Sequence, residues 1–290
     1  MILNTLEKLS KIHPPKWLSN NTHYLVVIGS EAYGVSIDTS DKDIYGFAIP
    51  PKEDIFPHLR GEILGFGKPL NRFSEWQEHH VKHNEYQYDL TVFSIVKYFQ
   101  LCMECNPNMV DSLFVPQNCI IHITQIGNLV RENRKLFLHK GAWYKFKGYA
   151  YSQIHKMQTK NPEGKRKEII DKYGYDLKFL YHTVRLLNEI EQILIEGDLD
   201  LQRNNEQLKS IRRGEWTTQQ GFEYFNSKEK SLEELYSKST LPHSPNEELI
   251  KNLLLQCLEQ HYGSLDKVIV RDCLHREALL KISEICDDYL

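Results

Sequence analysis

The sequence predicts an α+β protein whose first half carries the strands and whose second half is almost wholly helical, and three observations support that reading. The run Leu25-Val26-Val27-Ile28 is aliphatic and β-branched and stops at Gly29, the pattern of a buried strand entering a tight loop. Residues 41–49 and 85–93 are rich in aromatic and β-branched side chains, which favour strands. Beyond Pro116 the apolar residues recur at helical spacing instead.

Residues 1–9 open as an amphipathic helix, and Pro14-Pro15 breaks the chain before the first strand. The second strand, 41–49, is closed by Pro50-Pro51, and a loop through Gly61, Gly65, Gly67 and Pro69 is expected to lie over the site. The strand around Asp89 ends where Ser94 can cap a helix with the stripe Ile95, Val96, Phe99, Cys102 and Met103. Asn106-Pro107 stops that helix, and a short one follows from Pro107. Ile126, Leu129, Val130, Asn133, Leu136 and Phe137 align along one further helix, after which Gly141 punctuates the chain. The expected domains are therefore 1–140 and 141–290. The second holds two or three more helices, polar breaks near 197–205 and 242–245, and a closing helix from about Arg276.

A chain of 290 residues can bury a core without staples, and two modest domains fit it better than one. The formal charge of −3 argues against a protein coated in positive charge for indiscriminate nucleic-acid binding. The opening residues lack the apolar core of a secretion signal, and no window approaches a membrane span, so the expected compartment is the cytoplasm. Six scattered cysteines then read as reduced thiols. Cys102-x-x-Cys105 followed by Cys119-x-x-His122 has zinc-like spacing, but the first pair falls within or at the end of an apolar helical stripe and the intervening 109–115 look helical and buried, so the cysteines read as small hydrophobes. His79, His80 and His83 lack metalloprotease spacing and read as surface or loop residues. No nucleophile elbow, Walker loop or dinucleotide fingerprint occurs.

The chemistry concentrates behind the first strand. Gly29-Ser30 lets backbone N–H groups approach phosphate oxygens. On a strand, Asp41 and Asp43 project from one face with Cα atoms about 6–7 Å apart, which suits a shared divalent cation. Mg²⁺ takes hard oxygen ligands, one or two protein carboxylates per ion, so three carboxylates can hold the pair of ions that assists in-line attack on a triphosphate. Asp89 is the expected third acid and Glu85 its alternative. Without cations such a trio repels, and at least one pKa rises. A Gly-Ser turn and a solvated Asp-x-Asp loop through Asp38, Thr39 and Ser40 are the bland reading of the same residues.

The segments Gly29-Ser30-Glu31-Ala32-Tyr33-Gly34 and Ser40-Asp41-Lys42-Asp43-Ile44-Tyr45-Gly46 resemble those of predicted nucleotidyltransferases of the DNA polymerase beta superfamily, in a group found in bacteria and their phages. The resemblance continues through Asp89-Leu90-Thr91, Asn106-Pro107-Asn108, Gly148-Tyr149-Ala150 and Gly174-Tyr175-Asp176-Leu177-Lys178, with His182 and Arg185. It implies a mixed-sheet catalytic domain of polymerase-beta-like fold, a C-terminal all-helical domain, Gly29 and Ser30 on the phosphates, and Asp41, Asp43 and Asp89 on Mg²⁺ or Mn²⁺. Members of the group are sometimes predicted to accompany RNA ligation or repair.

Leu177, Leu180, Val184, Leu187, Ile190 and Leu194 form a core-facing helical stripe, while Lys178, His182 and Arg185 stack along another side. This cationic column is expected to contact the triphosphate, Arg185 bidentately and Lys178 as a point charge; a solvated face is the alternative. The basic stretch 156–172 reads first as a solvated linker and second as a guide for an RNA or nucleotide acceptor, with Tyr149, Tyr151 and Tyr173 nearby. The expected activity is metal-dependent transfer of a nucleoside monophosphate from a triphosphate to RNA, protein or a small molecule, with release of pyrophosphate. A non-catalytic nucleotide-sensing or RNA-associated module of the same fold is the competing class.

Overall fold

The computed structural model describes residues 1–36, 41–55, 72–159 and 164–263. The expected loop at 61–69, the Asp38-Thr39-Ser40 part of the Asp-x-Asp approach, Lys160 with Pro162, and the closing helix from Arg276 lie outside the described residues.

A helix α1 (Ile2–Lys8) precedes β1 (Thr22–Ile28) and β2 (Lys42–Ala48); α2 (Lys52–Ile55), β3 (Glu75–His83) and β4 (Tyr86–Ser94) follow. Then come α3 (Ile95–Met103), α4 (Pro107–Phe114), β5 (Ile120–Ile123) and α5 (Gln125–Glu132). The remainder is helical: α6 (Ala142–Thr159), α7 (Lys165–Tyr173), α8 (Leu177–Glu196), α9 (Asn205–Arg212), α10 (Thr218–Lys238) and α11 (Glu247–Tyr262). The expected break at Gly141 falls between a 3₁₀ turn, Arg134–Phe137, and α6.

The five strands form one sheet in the order β3-β4-β2-β1-β5, with β2 and β4 parallel and the other neighbours antiparallel. The sheet is mixed, as the family resemblance implies. Alternation along the strands gives it two faces. Leu25, Ile44, Ala48, Leu90 and Val92 pack with Leu3 and Leu6 of α1. Val26, Ile28, Phe47 and Phe93 face the other way, into a cluster continuous through α3, α4, α6 and α8 to α11. The helical half therefore sits directly on the sheet face that also carries Asp43 and Asp89. Gly46 is required in the antiparallel β1–β2 ladder: a Cβ there would lie 1.9 Å from the Tyr24 carbonyl oxygen, beside the register shift between Thr22 and Tyr24.

Three local expectations need correction. The region after Pro116 is not purely helical, because Ile120–Ile123 adds an edge strand to β1. Glu85 lies in the exposed two-residue turn between β3 and β4, where Asn84 takes φ +53°, a position that Asn tolerates. The helix expected over 126–137 stops at Asn133 and continues as the 3₁₀ turn. The Ser94 cap does form, its side chain accepting the Lys97 N–H at 3.2 Å.

Candidate active site

Asp43 and Asp89 are register partners on the parallel pair β2 and β4, so their side chains leave the same face on adjacent strands. Asp41 immediately precedes β2 and is exposed, whereas Asp43 and Asp89 are partly buried. Gly29 ends β1 with φ +76°, and a Cβ built on it would lie 3.0 Å from Asp43 Oδ2. The turn and the carboxylate are in contact, and only glycine fits both the dihedral and the space.

The electrostatics tie the parts together. Burial raises the Asp43 pKa, and the neighbouring charges of Asp89 and Asp41 push in the same direction, while Lys178 and His79 oppose them. Tyr45, two residues along β2 on the same face, is raised to about 12, mainly by burial and then by Asp43, Tyr149 and Asp89. Groups from β3, β4, the residue before β2 and the start of α8 thus share one field around Asp43. Lys178 is exposed at the first turn of α8, whose cap is Asp176 accepting the Lys178 N–H at 2.9 Å.

The model of RlaP, the RNA repair pathway DNA polymerase beta family, matches residues 1–249. The chain belongs to this family. No curated protein matches it. Membership gives this RlaP-family chain a polymerase-beta-like core and nucleotidyltransferase-type chemistry, for which a nucleoside triphosphate is the implied substrate.

The donor set suits a hard divalent cation. Asp43 and Asp89 supply carboxylate oxygens side by side, Asp41 stands within their field, and the raised Asp43 pKa marks a place where added positive charge is favourable. Among the described residues, no three His, Cys, Asp or Glu side chains are gathered closely enough to hold a metal ion between them. The fit rests on two adjacent carboxylates with phosphate and water completing the shell, which is how Mg²⁺ is ordinarily held in such sites.

The cationic column does not exist as expected. Lys178 is exposed with its charge acting on Asp43, His182 is half-buried with its ring 4.8 Å from that of Tyr181, and Arg185 is only 2% exposed. Arg185 pairs with Asp111 and Glu189 and is closed off from solvent. The physical reason is the setting of α8, which is enclosed by α6, α9, α10 and the sheet-side helices, so one side of it cannot stay open over two turns.

Sequence reasoning missed the histidines of β3. The register between β3 and β4 shifts between Glu78 and Val81, and His80 takes φ +58° there. This bulge aims the His80 N–H at Asp89 Oδ1, 2.7 Å away, and leaves His79 Nδ1 3.6 Å from the same oxygen. A bulge beside a carboxylate has no signature in the sequence except the adjacent His-His pair in a run that is polar on both faces.

Proposed function

We propose that this protein transfers a nucleoside monophosphate from a nucleoside triphosphate to an acceptor, with Gly29 and Ser30 receiving the phosphates and Asp43 and Asp89, joined by Asp41 once a cation draws the three acids together, holding Mg²⁺ or Mn²⁺. The observation that supports it most is the juxtaposition of Asp43 and Asp89 beside the Gly29 turn, with the Lys178 charge acting on Asp43. In the reaction an acceptor oxygen forms a bond to the α-phosphorus, and the bond from that phosphorus to the pyrophosphate oxygen breaks. When bound, the metal supplies positive charge to the phosphoryl oxygens. Lys178 adds a cation on the same side, suited to the phosphates as a point charge. Arg185, buried against Asp111 and Glu189, takes no part in this contact, whereas the half-buried His182 of the same helix is proposed to contact the nucleotide. Asp89 is held at Oδ1 by the His80 N–H and is the proposed acceptor of the attacking hydroxyl's proton.

The acceptor is proposed to be RNA, in keeping with the description of the family, with protein or a small molecule as outcomes of the test. Among the described residues no helix is long and apolar enough to cross a membrane. Cys102, Cys105, Cys119 and Cys257 are free thiols, which suits the proposed cytoplasmic setting. Residues 1–140 are proposed as the catalytic unit and 141–290 as the helical one.

Incubation of the purified protein with each labelled triphosphate, Mg²⁺ or Mn²⁺, and either total RNA, protein or a metabolite pool tests this reading. Metal-dependent label transfer with stoichiometric pyrophosphate is expected. Saturable triphosphate binding with no pyrophosphate would replace it with the nucleotide-sensing module.

A further inference from the structure

The turn after β1 is one compact unit: the Tyr33 N–H donates to the Gly29 carbonyl at 3.1 Å and the Val35 N–H to the Ser30 carbonyl at 2.9 Å. Gly29 and Gly34 both take left-handed dihedrals, which leaves the segment many alternatives when nothing holds it. What holds it comes from below. Tyr33 is 2% exposed, and its hydroxyl donates to Asp111 Oδ2 at 2.6 Å. Arg185 donates to the same carboxylate oxygen, stacks with its Cζ 4.4 Å from the Tyr33 ring centroid, and bonds both Glu189 oxygens at 2.9 Å. Gln202 Nε2 donates to the Ala32 carbonyl at 3.3 Å, and Arg212 Nη1 to the Val35 carbonyl at 2.6 Å.

Apart from Tyr33 itself and Asp111, every one of these side chains belongs to the helical half. Arg185 also rides on the helix that presents Lys178 to Asp43, seven residues or roughly 10 Å along the axis. A buried guanidinium facing two carboxylates is a poor device for stability alone, since an apolar packing often serves as well, but it fixes position in a way that apolar side chains do not.

We infer that Arg185, Asp111 and Tyr33 are positioning residues through which the helical half holds the 29–35 turn in its phosphate-receiving shape, so that triphosphate binding at the turn and the seating of α8 are linked. This rests on the reading of the turn as the phosphate site. The relay works by geometry: Arg185 orients Asp111, Asp111 anchors the Tyr33 hydroxyl, and Tyr33 fixes the turn from its far end.

Tyr33→Phe tests it, because the ring and its stacking on Arg185 are kept while one hydrogen bond is lost. Hydrogen exchange of the full chain should quicken about five- to tenfold in peptides covering 29–35 and stay unchanged in α10, with binding of inorganic triphosphate and Mg²⁺ weakened by a similar factor. Arg185→Lys, which keeps the charge but not the planar fork, should quicken the same peptides. Exchange at 29–35 that is unchanged in Tyr33→Phe, or that rises equally in α10, overturns the relay, and this holds even if Arg185→Lys fails to fold. If exchange quickens as expected but the wild-type chain binds no triphosphate, the relay as a brace stands and the phosphate reading of the turn falls.

Discussion

Asp43 and Asp89 stand opposite one another in the parallel ladder between β2 and β4, separated by 46 positions in sequence and by a single strand spacing in the fold. Because side chains alternate, slipping this register by one residue would send one carboxylate to the α1 side of the sheet. The apolar partners on either side prevent that slip: Ile44 pairs with Leu90 on one face and Phe47 with Phe93 on the other. The candidate site is thus fixed by the same packing that stabilises the sheet.

Each of these acids should be needed for metal binding. Asp43→Asn and Asp89→Asn, titrated with Mn²⁺, are expected to weaken binding by about tenfold or more, in line with the 1.5–3 kcal/mol of a charged contact. Since burial and Asp89 raise the Asp43 pKa, protons compete with the cation as the pH falls. Binding should therefore weaken on the acid side, and more gently in Asp89→Asn, where that repulsion is gone. Wild-type affinity in both variants would remove the metal assignment.

Gly29→Ala should damage the site and the fold in different proportions. The left-handed dihedral costs an alanine about 1–2 kcal/mol, and the new methyl would meet Asp43 Oδ2 at 3.0 Å. A drop in stability of about that size is expected in urea unfolding, together with metal binding and turnover reduced well beyond it, since the carboxylate must move. A variant with full turnover would show that the turn and Asp43 do not work together.

Much of this arrangement was legible before any coordinates. The run before Gly29, the Asp-x-Asp strand and the aromatic-rich strand at Asp89 are local patterns, and local chemistry produces them as β1, β2 and β4. What was not legible depends on partners distant in sequence. Asp111 lies 74 positions from Arg185, so a guanidinium at helical spacing with Lys178 reads as part of a cationic side until its carboxylate is seen. β3 is polar along most of its length because it is an edge strand with only Val81 buried, and its alternation breaks at the bulge that serves Asp89. β5, at four residues, is too short to be read against the helical pattern around it.

Lys178 and Arg185, on one helix, should separate function from stability. Lys178→Ala removes an exposed cation and is expected to alter stability by less than about 0.5 kcal/mol while weakening triphosphate binding severalfold. Arg185→Ala leaves two buried carboxylates without their cation and should cost about 3–5 kcal/mol. Thermal or urea unfolding of both variants measures the contrast; an Arg185→Ala protein as stable as wild type would mean that the buried cluster is not formed.

The stability of the whole chain should fall on mild acidification through His23. Its Nδ1 lies 2.9 Å from Thr124 Oγ1 and its Nε2 3.0 Å from His261 Nδ1, which joins β1 to the end of α11. Burial of the ring favours its neutral form. Burial, followed by the charges of His261 and His122, lowers its pKa from 6.5 to about 4, and burial with the Lys52 charge on α2 lowers that of His261 as well. The folded protein therefore leaves His23 unprotonated between about pH 6.5 and about 4, while the unfolded chain takes up a proton there. Protonation favours the unfolded state in that window, so the stabilisation is complete above 6.5 and is lost as the pH falls towards 4. Discounted for the solvent that reaches the ring, the loss is on the order of 2 kcal/mol. Urea midpoints at neutral pH and near pH 4.5 should show that loss in the wild type and only a fraction of it in His23→Gln, which keeps a polar side chain without the titration. Equal acid sensitivity in the two proteins would assign the effect to other groups.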